Sequence, residues 1–142
     1  MGEFIGSNWF QNNNEFDLVR LRQVFAEYDE NAWEELGGGL IQYSTEDRLF
    51  TLLIEHRINL GFLLNFLEKA RPRLNTLQSL YSLQDKTLSA DFDELDEIYY
   101  PVGCFLTPKL AFDGIEDFIK NPLKPSERVA WIAGNEINWP EL

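Results

Sequence analysis

The chain has 142 residues, of which 24 are acidic and 12 are basic, so its formal net charge is −12 at pH 7. Such a charge repels nucleic acid and anionic membranes and favours a cationic partner, although an acidic surplus also keeps ordinary domains soluble. The single histidine excludes a multi-histidine metal site, and the single cysteine excludes an intrachain disulfide.

Hydrophobic residues make up 44% of the chain and aromatic residues 14%, well above the content of a disordered acidic tail. The length fits one domain over residues 1–142. The first ten residues carry Glu3 where a signal peptide has basic residues, and no apolar run reaches the roughly 20 residues that cross a bilayer. We therefore expect a folded cytoplasmic protein without a membrane anchor.

The first 36 residues predict a loop followed by one helix. The asparagine run at 12–14 is typical of a turn. Apolar residues then recur every three or four positions, which predicts a helix near 16–36, and Gly37–Gly39 would end it. The opposite face of this helix carries acids, among them Glu27, Asp29, Glu30 and Glu34.

The next part of the chain is typical of a sheet. Residues 40–43, 49–56 and 60–67 read as an antiparallel meander. Residues 74–83 fit either a helix or a strand, and we favour a strand over 77–83. Residues 98–102 indicate an edge strand, because Pro101 cannot donate to a central ladder.

Thr107-Pro108 is the clearest local signal, since threonine suits a helix N-cap and proline the first helical position. The pattern that follows predicts a helix over 108–120, with Asp113, Glu116 and Asp117 opposite its apolar stripe. A last strand is expected at 129–132. The fold class is therefore α+β, with an antiparallel sheet of about four to six strands packed against two main helices.

The sequence offers little for catalysis. His56 lies near a strand end, where a surface or strand-end role is favoured over that of a general base. The glycine triplet lacks the preceding strand and the lysine of a phosphate loop. We expect Cys104, between a glycine and a phenylalanine, to be a buried apolar side chain. No nucleophile motif occurs, and we predict a non-enzymatic protein without a cofactor.

Alternating acids at 91–97 suggest a cation loop, but a calcium loop starting at Asp91 would have Asp96 in place of its glycine and Val102 in place of its glutamate. We predict no metal site. A carboxylate-metal enzyme using Asp91, Asp93 and Asp96 stays open as a third interpretation.

The same segment fits an interaction surface better, since acids steer a basic partner and adjacent aromatic residues anchor it. A solvated loop with inward-facing apolar residues explains the pattern equally well. The predicted partner-binding residues are Asp91, Asp93, Glu94, Asp96, Glu97, Tyr99 and Tyr100, together with Glu27, Asp29, Glu30 and Glu34 of the first helix.

From Leu49 onward the chain resembles the immunity proteins of bacterial polymorphic-toxin and contact-dependent growth inhibition systems. The resemblance rests on the strand pair 49–67, the phrase Leu80-Tyr81-Ser82-Leu83, Tyr100-Pro101-Val102-Gly103 leading to the helix after Thr107-Pro108, and the closing Val129-Ala130-Trp131. It is strongest for the group associated with nucleic-acid deaminase toxins. Residues 1–39 match no part of that pattern.

The resemblance implies a small, cytoplasmic, non-enzymatic protein that binds the C-terminal domain of a cognate toxin and blocks its active site or substrate surface. The toxin domain would be basic and would act on nucleic acid. No contact residues are transferable from the family, and the oligomeric state stays open. The alternative is an acidic adaptor or regulatory domain that binds a basic protein other than a toxin.

Overall fold

The computed structural model describes residues 2–5, 11–12, 15–16, 18–36, 38–88, 91–95 and 98–140. Its helices are Leu18–Ala26 (α1), Glu30–Leu36 (α2) and Pro108–Lys120 (α3). Its strands are Glu3–Ile5 (β1), Gln11–Asn12 (β2), Glu15–Phe16 (β3), Gly39–Ser44 (β4), Arg48–Arg57 (β5), Gly61–Ala70 (β6), Asn75–Leu83 (β7), Phe92–Leu95 (β8), Ile98–Pro101 (β9), Phe105–Leu106 (β10) and Ala130–Ala133 (β11).

Seven of these strands form one antiparallel sheet, which confirms the predicted α+β class. Six lie in the order β1-β4-β5-β6-β7-β11, and β10 pairs with β6 beside this path. The described part of the chain thus has one sheet strand more than the upper expected number, because the very short β1 and β10 join it. Strands β8 and β9 form a separate hairpin.

Both faces of the sheet bury apolar side chains, because β6 is hydrophobic on each side of its pleat. Phe62, Leu64 and Phe66 face the helices and belong to the larger core, together with Ile115 of α3. Leu63 faces the other way into a second cluster. The helices therefore cover one face, as expected, while the other face is partly covered by the segments that follow β7.

The second cluster contains Cys104, whose exposure is 0%, together with Phe105, Ile132 and Ile137. The prediction that Cys104 is a buried apolar side chain is confirmed. Burial raises the pKa of its thiol to about 11, so the uncharged form is retained at neutral pH.

The single helix predicted near 16–36 is wrong, because the described chain has two helices separated at 27–29. The Asp29 carboxylate accepts hydrogen bonds from the backbone N–H groups of Asn31 and Ala32, at 2.9 and 3.4 Å, and so starts a new helix. The apolar spacing carried no sign of this break, since Phe25 and Trp33 pack into the same core on both sides of it.

The later predictions are confirmed. The favoured strand over 77–83 lies within β7, and α3 begins at Pro108 with the Thr107 hydroxyl accepting the N–H of Leu110 at 3.5 Å. Pro101 ends β9, in the isolated hairpin, where no central ladder requires its missing N–H.

Candidate partner-binding surface

Two parts of the molecule that are far apart in sequence, helix α2 and the hairpin β8–β9, contact the end of the sheet at the β5–β6 turn, residues 58–60. His56 and Arg57 are consecutive in β5, so their side chains point to opposite faces of the sheet. On the helix side, His56 Nδ1 lies 3.8 Å from the Glu34 carboxylate of α2. On the other side, the Arg57 guanidinium donates to Asp93 of β8 at 3.0 Å. Helix α2 and the hairpin β8–β9 therefore meet the same end of the sheet.

We call the acids and tyrosines around this end the acidic rim. Its helix side comprises Glu27, Asp29, Glu30 and Glu34, and its hairpin side comprises Glu55, Asp91, Asp93, Glu94, Tyr99 and Tyr100. The rim brings together the two acidic segments that the sequence predicted separately. Asp96 and Glu97, also predicted as partner-binding residues, lie outside the described residues.

The helix side is fixed by α2. Trp33 is 3% exposed and packs edge-on against Phe62, with ring centroids 4.8 Å apart. Glu30 and Glu34 are one helical turn apart and so share a face. Glu30 accepts the backbone N–H of Asn59 in the β5–β6 turn at 2.9 Å, which fastens the acid-bearing face of α2 to this end of the sheet.

The hairpin side is fixed through cross-strand pairs. Asp93 lies opposite Tyr100, and Glu94 lies opposite Tyr99. The Arg57 guanidinium carbon is 5.4 Å from the centre of the Tyr100 ring, so Arg57 holds both strands of the hairpin. Phe92 adds an apolar anchor against Trp139, with centroids 6.0 Å apart.

The predicted acids differ in how exposed their side chains are. Glu27, Glu34, Asp91 and Glu94 are exposed. Asp29 is exposed as well, but its carboxylate is the α2 cap. Glu30 and Asp93 are partly buried and already bound to Asn59 and Arg57 respectively. The exposed group is therefore the part of the rim best placed to meet another protein.

Two residues at the rim were missed by sequence reasoning. Ile58, at the tip of the β5–β6 turn, is 41% exposed. Glu55 accepts the hydroxyl hydrogen of Tyr100, and burial raises the pKa of both groups, that of Tyr100 to about 12. The signal for Ile58 was an apolar residue inside a predicted turn. Glu55 carried no signal, because its partner is 45 positions away.

His56 is buried, at 5% exposure, so the expected strand-end position is right and a surface role is wrong. Its Nε2 lies 2.6 Å from the hydroxyl oxygen of Tyr28, and its ring packs beside Phe62. Burial lowers the pKa of His56 below its ordinary value, against the opposing effect of Glu34 and Glu30. The imidazole is therefore neutral at pH 7 and leaves the negative charge of the rim undiminished.

A second group of acids, Asp113, Glu116 and Asp117, lies on α3, where the sequence predicted them opposite the apolar stripe. Asp113 and Glu116 are 9% and 5% exposed. The Arg128 guanidinium reaches all three carboxylates, at 3.2, 2.9 and 2.6 Å respectively. We call these four residues, with Arg22 and Lys120 that also contact Glu116, the Arg128 network.

The remaining features concern metals, membranes and relatives. Within the described ranges, no group of three or more histidine, cysteine or acidic side chains is arranged to hold a metal ion. None of the described helices combines the length and the apolar character that crossing a bilayer requires. Comparisons with protein-family models, with curated proteins and with solved structures gave no match.

Proposed function

We propose that this protein is an immunity protein that binds and neutralises a basic, nucleic-acid-targeting toxin domain through the acidic rim. The observation that carries the proposal is the convergence of two acidic segments, 27–34 and 91–94, at one end of the sheet. Their separation in sequence makes this arrangement a product of the fold. The resemblance of residues 49–131 to toxin immunity proteins supports the choice of partner.

The physical basis is substitution of carboxylates for phosphates. A domain that acts on nucleic acid holds phosphates with arginine and lysine side chains. The exposed carboxylates of Glu27, Glu34 and Asp91 present negative charge to the same cations, and the net charge of −12 adds long-range attraction. A bound rim would keep nucleic acid away both sterically and electrostatically.

The rim also offers apolar area between its charges. Ile58 at the turn and Ile98 of β9 are 41% and 50% exposed, on the turn and on the hairpin that Arg57 fastens to it. Burial of such side chains slows dissociation, whereas the surrounding charges mainly speed association. The rim therefore has the two components of a tight electrostatic interface.

The test is co-expression with the toxin domain encoded immediately upstream, with growth and binding as readouts. A triple variant, Glu27→Gln with Glu34→Gln and Asp91→Asn, neutralises the exposed part of the rim. Its matched control, Glu46→Gln with Asp47→Asn and Glu127→Gln, makes the same change in net charge. Glu46 and Asp47 lie in the β4–β5 turn at the opposite end of the sheet.

We expect the rim variant to associate with the toxin domain about tenfold or more slowly at low salt, with a weaker salt dependence, and the control to stay within about twofold of the wild type. Equal effects of both variants would assign the binding to net charge and remove the rim from the proposal. Absence of both binding and growth rescue would overturn the immunity function. Rim-dependent binding of another basic protein without rescue would establish the adaptor alternative.

A further inference from the structure

A cavity of about 570 Å³ lies between α1 and α3. The rings of Phe25 and Phe112 line its floor, with centroids 6.0 Å apart and exposures of 3% and 5%. Ala26, Tyr28 and Pro108 line its walls. The volume is in the range of sites that enclose a ligand-sized group, and the floor is aromatic.

The mouth of the cavity is lined by cationic side chains that are already ion-paired, Lys109 with Asp113, Arg22 with Glu116, and Arg128 with both carboxylates. Arg22, Lys109 and Arg128 line it together with Asp113. The Arg22 guanidinium carbon already lies 5.1 Å from the centre of the Phe112 ring. A lysine or arginine side chain entering here would compete with these cations for carboxylates that are already bound, whereas an aromatic ring would stack against the guanidinium groups without breaking an ion pair. The cavity therefore favours an aromatic side chain over a basic or an aliphatic one.

The cavity continues towards the acidic rim. A second depression, of about 390 Å³, shares Tyr28 and Pro108 with the cavity and extends past Glu30 to Asn59 in the β5–β6 turn. Along this path the side chains change from the ion-paired cations at the mouth of the cavity to the Glu30 carboxylate. A segment lying in the path would meet apolar surface first and the Glu30 carboxylate next.

We infer that the cavity between α1 and α3 receives an aromatic side chain of the toxin domain, and that a basic residue next to it in sequence contacts the helix side of the acidic rim. This inference rests on the proposed function and deepens it, since it specifies an aromatic residue beside a basic one as the element that the protein recognises. A central aromatic anchor surrounded by charge is the usual arrangement of the strongest contacts in an interface.

The first test fills the mouth of the cavity. Ala26 is exposed at the last position of α1, so Ala26→Trp places a ring over the cavity without entering the core. Val19, on the same helix and 80% exposed, does not line the cavity and provides Val19→Trp as the matched control. We expect Ala26→Trp to weaken the equilibrium binding of the toxin domain about tenfold or more and Val19→Trp to change it less than twofold. Equal binding by both variants would overturn the inference.

The second test does not need the toxin. The dipeptide amide Trp-Lys is titrated into the ¹⁵N-labelled protein and compared with Ala-Lys and Trp-Glu. We expect Trp-Lys to shift the backbone amide signals of Ala26, Tyr28 and Lys109 in the wild type but not in Ala26→Trp. Equal shifts with Ala-Lys would show that the cavity does not select an aromatic ring, and stronger shifts with Trp-Glu would show that the acidic rim does not select the neighbouring residue. Either result would overturn the inference.

The two tests separate this inference from the proposed function. Toxin binding that survives Ala26→Trp, with no shifts from Trp-Lys, would leave the immunity function standing and remove the cavity from it. Shifts from Trp-Lys without any toxin binding would remove the immunity function while retaining the recognition of an aromatic-basic pair. Self-association of the wild type that Ala26→Trp abolishes would assign the cavity to a second copy of the chain and overturn the inference.

Discussion

The Arg128 network and the acidic rim are both dense in carboxylates, but the fold treats them differently. In the Arg128 network, Asp113, Glu116 and Asp117 converge on one guanidinium, and Glu116 is further contacted by Arg22 from α1. In the acidic rim, the carboxylates of Glu27, Glu34, Asp91 and Glu94 occupy exposed positions on two segments, while Glu30, Glu55 and Asp93 are partly buried. One region is neutralised from within and the other presents its charge to solvent.

This difference shows that the number of acids in a segment does not tell whether they are available to a partner. The acids of α3 lie on a helix much like those of α2, yet cations from 94 positions earlier and from the loop after α3 neutralise them. At the acidic rim, Arg57 is shared between Asp93 and Glu55, and His56 is kept neutral by burial. The cost in stability of removing a charged group should therefore differ between the two regions, and four changes test that difference.

The largest effect is expected from Arg128→Met, which leaves the α3 carboxylates with fewer cations. Unpairing a fully buried ion pair costs about 3–5 kcal/mol, but the Arg128 side chain is 46% exposed, so we expect a loss of about 2 kcal/mol in the free energy of unfolding. Urea denaturation measures it.

The control is Lys124→Met, which removes an exposed pair with Glu127 of 2.9 Å and should cost less than about 0.5 kcal/mol. Equal losses for the two variants would contradict the distinction between a buried network and a surface pair.

The second change is in pH. Hydrogen bonds from Arg128 hold the pKa of Glu116 and of Asp117 below their ordinary values of 4.5 and 3.8. A lowered pKa in the folded state contributes stability that is fully present above the ordinary pKa and is lost as the pH falls through the lowered one. The stability gap between the wild type and Arg128→Met should therefore be largest near neutral pH and shrink below about pH 4. Urea denaturation at several pH values measures the gap, and a gap that stays constant down to about pH 3 would contradict this assignment.

The third change, Arg57→Met, removes the contact between β5 and the hairpin at the acidic rim. A hydrogen bond between charged groups contributes about 1.5–3 kcal/mol, and because the Asp93 side chain is 35% exposed we expect a loss of about 1.5 kcal/mol. Hydrogen exchange should become faster in β8 and β9 and stay unchanged in β5. Arg73→Met, at an exposed position beyond β6, serves as the control. Unchanged exchange in the hairpin would show that Arg57 does not hold it.

The smallest effect is expected from Asp29→Ala, which removes the cap of α2. Loss of an N-cap costs about 1 kcal/mol, whereas Glu35→Ala on the same helix should cost less than about 0.5 kcal/mol. Thermal unfolding followed by circular dichroism compares the two. A loss for Asp29→Ala no larger than that for Glu35→Ala would show that the Asp29 carboxylate does not act as a cap, and Asp29 would then count with the exposed acids of the rim.

Much of the fold was predictable because the signals were local. Thr107-Pro108 marks the start of α3 through backbone chemistry that operates within one turn. The apolar runs of β5 and β6 indicate buried strands, whatever their neighbours. The break between α1 and α2 was missed because Asp29 caps a new helix inside a stretch whose apolar spacing is continuous. Spacing alone does not show whether the chain forms this cap or continues as one helix.

The candidate site was predictable in its parts and not as a whole. The acids of 27–34 and 91–97 could be read from the sequence, and so could the aromatic residues beside them. Their meeting at the β5–β6 turn depends on Arg57 and Glu30, which make contacts 36 and 29 positions away. Contacts at such separations are set by the packing of the sheet.

The sequence by itself determined the strong negative charge, the α+β class, the position of α3 and the burial of Cys104, because each depends on composition or on neighbouring residues. Only the tertiary structure decided which carboxylates keep their charge exposed. Arg128 and Arg22 reach the α3 acids through folding, while the acids of 27–34 and 91–94 are brought to one end of the sheet. The physical reason is that the electrostatic environment of a carboxylate depends on distances in space, which chain order does not fix.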